Sequence, residues 1–133
     1  MSKEFNENKV AVITGGAKKI GRATAKKLAE QGFNILIHTG GKSIEEAKKT
    51  VEIVKEYGVK SNFVDGDLLN LTTINKIKEA AIKLGTPSVL INNAALRINE
   101  DFEKITYEDW KKVMTVNVDA SFLCTQALIG YMT

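Results

Sequence analysis

The residues in this chain best suited to hold and work on a ligand are glycines and carboxamides placed directly after apolar runs. Thr14-Gly15-Gly16-Ala17-Lys18-Lys19-Ile20-Gly21 follows one such run and opens a helical pattern. Glycines let a backbone turn tightly and approach a ligand with no Cβ in the way. Free N–H groups at a helix start face an anion, and the helix dipole favours a pyrophosphate there. Gly15, Ala17, Lys18, Lys19, Ile20 and Gly21 are therefore the first candidate ligand-holding residues. The bland alternative is an ordinary glycine turn. The second cluster is Asn92-Asn93-Ala94-Ala95. Carboxamides with small neighbours can bond adjacent backbone and leave room for a flat ligand, so Asn93, Ala94 and Ala95 join the candidates. A capping turn is the alternative here.

These clusters need a scaffold that brings them together. Four short apolar runs, at 10–14, 34–38, 62–64 and 88–92, lack strict alternation, the pattern of parallel strands buried on both faces. Helical patterns separate them. In 21–31, Ile20, Thr24 and Leu28 share one face, and Gly32 stops the helix. Ser43 is a good N-cap for a stripe of Ile44, Ala47, Val51 and Val54 that ends at Gly58. Thr72 or Thr73 opens a third helix, with Ile74, Ile77, Ala81 and Leu84 inward and Gly85 closing it. Pro87 stands just before the fourth strand, where it cannot interrupt a ladder. Thr106 opens a last helix to Met132, with Asp109 placed for a variant capping box. The second half of that helix is apolar nearly all round, which predicts burial on more than one side. Regular alternation of strand and helix predicts an α/β, doubly wound parallel sheet with right-handed crossovers. The expected spatial order is 3-2-1-4, with the crevice between strands one and four, where chain direction reverses. A flavodoxin-like sheet shares the pattern. Residues 1–133 read as one domain with no linker.

The glycine cluster matches Thr-Gly-x-x-x-Gly-x-Gly except that Lys19 replaces the middle glycine, and Asn92–Ala95 matches Asn-Asn-Ala-Gly except for a final alanine. On these motifs the chain resembles the N-terminal, cofactor-binding part of the short-chain dehydrogenase/reductase family. It looks closest to 3-oxoacyl-[acyl-carrier-protein] reductases and pteridine reductase-like members, which also show a basic residue at the Lys19 position. The resemblance implies a Rossmann-type domain, incomplete at its C-terminus. It also implies hydride transfer between a nicotinamide cofactor and a carbonyl or alcohol. It implies that Asp67 accepts a hydrogen bond from the adenine amine while Leu68 packs the ring, with Asp65 a nearby rival. It implies that Asn117, mid-helix, organises a water relay behind the catalytic lysine. Read from the residues alone, either acid also fits a solvated loop, and Asn117 also fits a carboxamide satisfied by a local backbone carbonyl.

The loop after the second strand bears on the choice of nicotinamide cofactor. An NAD site places an acid there to accept from the ribose 2′-hydroxyl. His38-Thr39-Gly40-Gly41-Lys42-Ser43 has none. Thr39, Gly40, Lys42 and Ser43, with Lys18 and Lys19 across the glycine loop, offer cations and hydroxyls that suit a 2′-phosphate. NADP(H) is favoured over NAD(H).

The remaining composition excludes more than it adds. A net charge of +3, scattered along the chain, gives no argument for nucleic acid or a membrane surface. The start MSKEFNENK has no apolar signal core, and the stretch from Ala120 to Met132 is broken by polar residues and too short to span a bilayer. A single cysteine, Cys124, reads as a buried core thiol and, with no metal-binding cluster, points to a reducing cytoplasm. His38 has no metal partners, Tyr107 and Trp110 read as packing for the last helix, and Lys111-Lys112 as a solvated face. Tyr57, the tyrosine weighed for the family's Tyr-x-x-x-Lys pair, has Ser61 four residues on and stands at a helix end before the third strand, so the family's serine, tyrosine and lysine are not expected within these residues. The 133 residues alone are thus expected to hold a cofactor without transferring hydride, as a nucleotide-binding module. The full-length protein is expected to act on a small carbonyl or alcohol substrate as a homodimer or homotetramer.

Overall fold

In the computed structural model, which describes residues 3–132, four parallel strands form one sheet. The polar start begins earlier, and Met1, Ser2 and Thr133 lie outside the described residues. β1 (Lys9–Ile13), β2 (Asn34–Thr39), β3 (Ser61–Asp65) and β4 (Thr86–Ile91) lie in the spatial order β3-β2-β1-β4, as the alternating pattern predicts. Helices α1 (Lys19–Glu30), α2 (Ile44–Lys55) and α3 (Leu71–Leu84) are the crossovers. This is a Rossmann-type sheet, and the switch point falls between β1 and β4.

Apolar runs without alternation become strands covered on both faces. Every residue of β2 is buried, and Val10, Ala11, Val12 and Ile13 of β1 are fully inaccessible. One face packs on α3 and the final helix through Val10, Val12 and Leu36; the other packs on α1 and α2 through Ala11, Ile13 and Ile35. Among the described residues β4 pairs only with β1, and Ser88 to Ile91 stay half-buried. Pro87 lies inside β4 rather than before it. It is buried, and the register shifts beside it, so an edge strand absorbs the missing donor at an irregularity.

Three helix readings change. The buried face of α1 is Gly21, Ala25 and Ala29, small residues that let the helix approach the sheet closely, while Ile20 is exposed. α3 is capped by Asn70, whose side chain accepts from the Thr72 N–H, rather than by Thr72 or Thr73. Ser43 precedes α2 without a side-chain capping bond. Thr106 does cap its helix, accepting from the Asp109 N–H at 3.0 Å.

The last helical run has three parts: α4 (Tyr107–Met114), a π turn at Thr115–Asp119, and α5 (Ala120–Leu128). It is 25 residues long from Tyr107 to Tyr131 and, by length and composition only, apolar enough to cross a membrane. That corrects the reading of a stretch too short. Its Ala120, Cys124 and Leu128 pack into the core with α3, the position of a core helix. The expected burial on several sides is not seen: Phe122, Ile129 and Tyr131 are exposed, as are Tyr107 and Trp110.

Candidate active site at the strand switch point

The C-terminal ends of β1 and β4 lie side by side, paired through Ile13 and Ile91, and the two motifs meet there. Gly15 has a φ of +61, and a Cβ on it would lie 2.8 Å from the Ala94 Cα. A Cβ on Gly21 would come within 2.6 Å of the Gly15 carbonyl oxygen and the Gly16 Cα. Only glycine allows this close contact between the loop, the helix start and the segment after β4. Thr14 joins the two sides. Its hydroxyl accepts from the N–H groups of Asn93 (3.1 Å) and Ala94 (3.0 Å). The Asn93 carboxamide donates to the Gly15 carbonyl at 3.0 Å.

A cleft of about 700 Å³ opens over this junction. Gly15, Lys18, Lys19, Ile20 and Gly21 line one side; Asn93, Ala94 and Ala95 line another; His38, Gly40, Lys42, Asp67 and Leu68 are among those lining a third. Asp67 holds its own loop, accepting from the Leu69 N–H at 2.9 Å, while Asp65 lies beside Gly41. Three candidates are placed elsewhere. Ala17 is buried, with its carbonyl turned to Arg22 and Thr50; Thr39 is buried at the end of β2; Ser43 starts α2 outside the cleft wall. Lys112, read as a solvated face, lines the cleft, so four lysines face it from three elements or loops.

Asn117 is exposed rather than buried-facing, and it sits in the π turn. Its carboxamide makes a paired contact with the backbone of Leu96, accepting from N–H at 2.8 Å and donating to the carbonyl at 3.0 Å. It thereby clips the segment after the Asn motif to the helix. A π turn at a site residue is a frequent device for aiming a side chain. Beside it an apolar depression of about 450 Å³ carries Leu96, Arg97, Ile98 and Trp110, continuing from the cleft at Ala95.

Sequence reasoning missed two supports. His38, set aside as a lone histidine, is buried beneath the glycine loop. Its Nδ1 accepts from the Gly15 N–H at 3.1 Å and its Nε2–H donates to the Gly66 carbonyl at 2.8 Å. Burial holds its pKa below the ordinary 6.5, against smaller upward pulls from the Gly66 carbonyl, Asp65 and Asp67. Arg22 is the second support. Its guanidinium reaches Thr50 (2.8 Å), the carbonyls of Ala17 and Glu46 (3.2 Å each) and the Glu46 carboxylate (2.6 Å). Neither role is visible locally, because their partners lie 5 to 28 residues away. Cys124 is the buried core thiol expected, with burial pushing its pKa up to about 11.

The short chain dehydrogenase family's sequence pattern matches residues 9–133. The chain belongs to the short chain dehydrogenase family. Among its relatives in that family, 3-oxoacyl-[acyl-carrier-protein] reductase FabG of Aquifex aeolicus is 38% identical over 122 residues, covering 90% of this chain and 48% of that protein. L-rhamnose 1-dehydrogenase (NADP(+)) of Thermoplasma acidophilum is 38% identical over 127 residues, covering 95% and 50%. A blue fluorescent protein from a metagenomic library, solved in complex with NADPH, superposes with a TM-score of 0.88 at 29% identity, covering 95% of this chain and 52% of that one. The chain thus spans about half the length of the short chain dehydrogenases it matches.

Proposed function

We propose that this cleft holds NADP(H), and that the whole protein is an NADP(H)-dependent oxidoreductase interconverting a carbonyl and an alcohol. The observation that carries the reading is the four-lysine cleft, Lys18, Lys19, Lys42 and Lys112, built over a glycine cradle that a Cβ would fill. Cations there suit a nucleotide with a 2′-phosphate, and the loop after β2 carries no acid to hold a free 2′-hydroxyl. The NADPH-bound and NADP-named relatives support the same choice.

In this reading the glycine loop and the start of α1 bind the pyrophosphate, and Lys18 and Lys42 bind the 2′-phosphate. Asp67 and Leu68 hold the adenine, and Asn93 to Ala95 wall the nicotinamide side. A bound nicotinamide supplies or accepts the hydride. Hydride transfer also needs a group to manage the proton on the substrate oxygen. Tyr57 has Ser61 four residues on and borders a separate depression with Glu4 and Gly32, while Tyr107 and Lys111, which do have the Tyr-x-x-x-Lys spacing, start α4 with Tyr107 exposed and neither residue lining the cleft. We therefore assign that step to the family's serine, tyrosine and lysine elsewhere in the whole protein, with Asn117 organising water behind the lysine. Residues 1–133 alone then bind nucleotide without reducing a carbonyl. The substrate is a small carbonyl or alcohol, of 3-oxoacyl type by the FabG likeness. We place the protein in the cytoplasm, acting as a homo-oligomer. Following NADPH absorbance with β-keto esters, diketones and quinones tests the reading: the whole protein turns one over and residues 1–133 do not. Turnover by the short chain would refute the assignment of the proton-handling step.

One observation favours NAD(H) as a second reading. The Asp65 carboxylate lies 3.3 Å from where a Gly41 Cβ would stand, so an acid from β3 reaches the loop after β2. If it rather than Lys42 sets the choice, Asp65→Asn weakens NADH binding and leaves NADPH unchanged.

A further inference from the structure

His38 ties together two loops that the nucleotide reading assigns to opposite ends of one ligand. Gly15 belongs to the loop for the pyrophosphate, and Gly66 directly precedes Asp67 of the adenine loop. Neither partner can shift to accommodate a different ring. Gly15 is packed on Ala94 in the left-handed region. Gly66 donates its N–H to the Thr39 carbonyl at 3.0 Å, and any Cβ on it would collide with the Thr73 hydroxyl. The main chain of His38 adds a third tie, its carbonyl accepting from the Gly16 N–H at 3.0 Å. Donor and acceptor are therefore assigned. Nε2 carries the proton and Nδ1 presents its lone pair, so the ring is neutral.

We propose that His38 is a positioning residue for the nucleotide: its neutral, Nε2-protonated ring sets the spacing between the glycine loop and the Asp67 loop, and protonation releases the ligand. This rests on the nucleotide reading above. A second proton would go on Nδ1 and face the Gly15 N–H, donor against donor. The Gly15 N–H, half-buried at the cleft wall, would lose its acceptor, and the loop that cradles the pyrophosphate would have to move. The charged groups around the ring are of both signs. Asp65 and Asp67, at and beyond the end of β3, favour the imidazolium. Lys18 and Lys19 of the glycine loop and Lys42 of the loop after β2 line the same cleft as the ring. Burial opposes the imidazolium and outweighs the two acids.

Two substitutions separate the two bonds. His38→Asn places a carboxamide oxygen near the Nδ1 position and cannot titrate; His38→Gln reaches toward Gly66 but withdraws the acceptor from Gly15. Calorimetric titration of the whole protein with NADP+ is run from pH 8 to pH 5.5. Wild type should lose more affinity than His38→Asn as pH falls below 6.5, by less than about tenfold at pH 5.5 because burial holds the ring's pKa below the ordinary value. The ligand's own 2′-phosphate titration is common to both proteins and cancels. His38→Asn, which keeps an acceptor for Gly15 but loses the bond to Gly66, should bind more weakly than wild type at pH 8, and His38→Gln, which leaves the Gly15 N–H without its acceptor, more weakly still at every pH. Parallel pH profiles for wild type and His38→Asn overturn the proposal, as does normal binding by His38→Gln. Wild type that binds no nucleotide at pH 8 overturns the nucleotide reading itself, and the proposal with it. If either variant does not fold, imidazole 15N shifts of the unaltered protein decide the matter. A neutral Nε2–H tautomer at pH 6.5 supports the role, and an Nδ1–H tautomer or an imidazolium ends it.

Discussion

Lys19 has a φ of +54, in the region that L side chains rarely adopt, at the position where the family motif carries glycine. The left-handed conformation costs a non-glycine residue about 1 kcal/mol or more, and glycine gives part of that back through its freer unfolded chain. Lys19→Gly should therefore leave the protein as stable or raise stability by up to about 1 kcal/mol, read as a rise in thermal midpoint. NADPH affinity should fall, because one cation leaves the cleft. Gly15→Ala runs the other way. The new Cβ meets the Ala94 Cα, and denaturation should show a loss of about 1–3 kcal/mol, with nucleotide binding weakened at least tenfold. The glycine loop and the Asn motif were legible because glycine and small residues have few other reasons to cluster there. His38, Thr14 and Lys112 were not, since each matters only through partners that the sheet brings together.

His38 also gives stability a pH dependence at this scale. Its folded pKa is lowered by burial, so the unfolded chain takes up the proton first. Its contribution is complete above the ordinary 6.5 and drains away as pH falls from there through the folded value. Urea midpoints should drop between pH 7.5 and pH 5, and His38→Asn should remove part of that drop. An unchanged midpoint in wild type would contradict the burial of a neutral ring.

At the scale of elements, the joint between α1 and α2 rests on Arg22. Its ion pair with Glu46 is partly solvent-exposed and adds little by itself, but the bonds to Thr50 and to two backbone carbonyls are shielded. Arg22→Met should cost about 1–2 kcal/mol by chemical denaturation, more than Glu46→Gln, and should weaken NADPH binding through the loosened Ala17 carbonyl. Equal costs for the two variants would make the exposed ion pair the main bond. Strand order followed from the alternation of elements because parallel strands demand crossovers. The inward face of α1 did not follow, because Gly21, Ala25 and Ala29 bury by being small, and a reading weighted to large apolar residues chose Ile20 and Leu28. The π turn was equally hidden. Nothing in Thr115–Asp119 distinguishes it from an ordinary helical turn until Asn117 finds Leu96.

For the whole molecule, the long final helix leaves Val118, Phe122 and Ile129 exposed while Ala120, Cys124 and Leu128 enter the core. A helix apolar on both sides needs cover on both, so the predicted homo-oligomer should use this outer face. Phe122→Glu should shift the whole protein toward monomer in light scattering with its fold retained; an unchanged assembly would place the interface elsewhere. The account turns most directly on the cofactor. Paired titrations of the whole protein with NADPH and NADH, repeated on Lys42→Asp, measure it. The account predicts NADPH binding at least tenfold tighter than NADH in wild type, on the scale of one charge-assisted phosphate contact, and a preference erased or reversed in Lys42→Asp. Equal affinities in wild type, or a preference that survives the substitution, would contradict it.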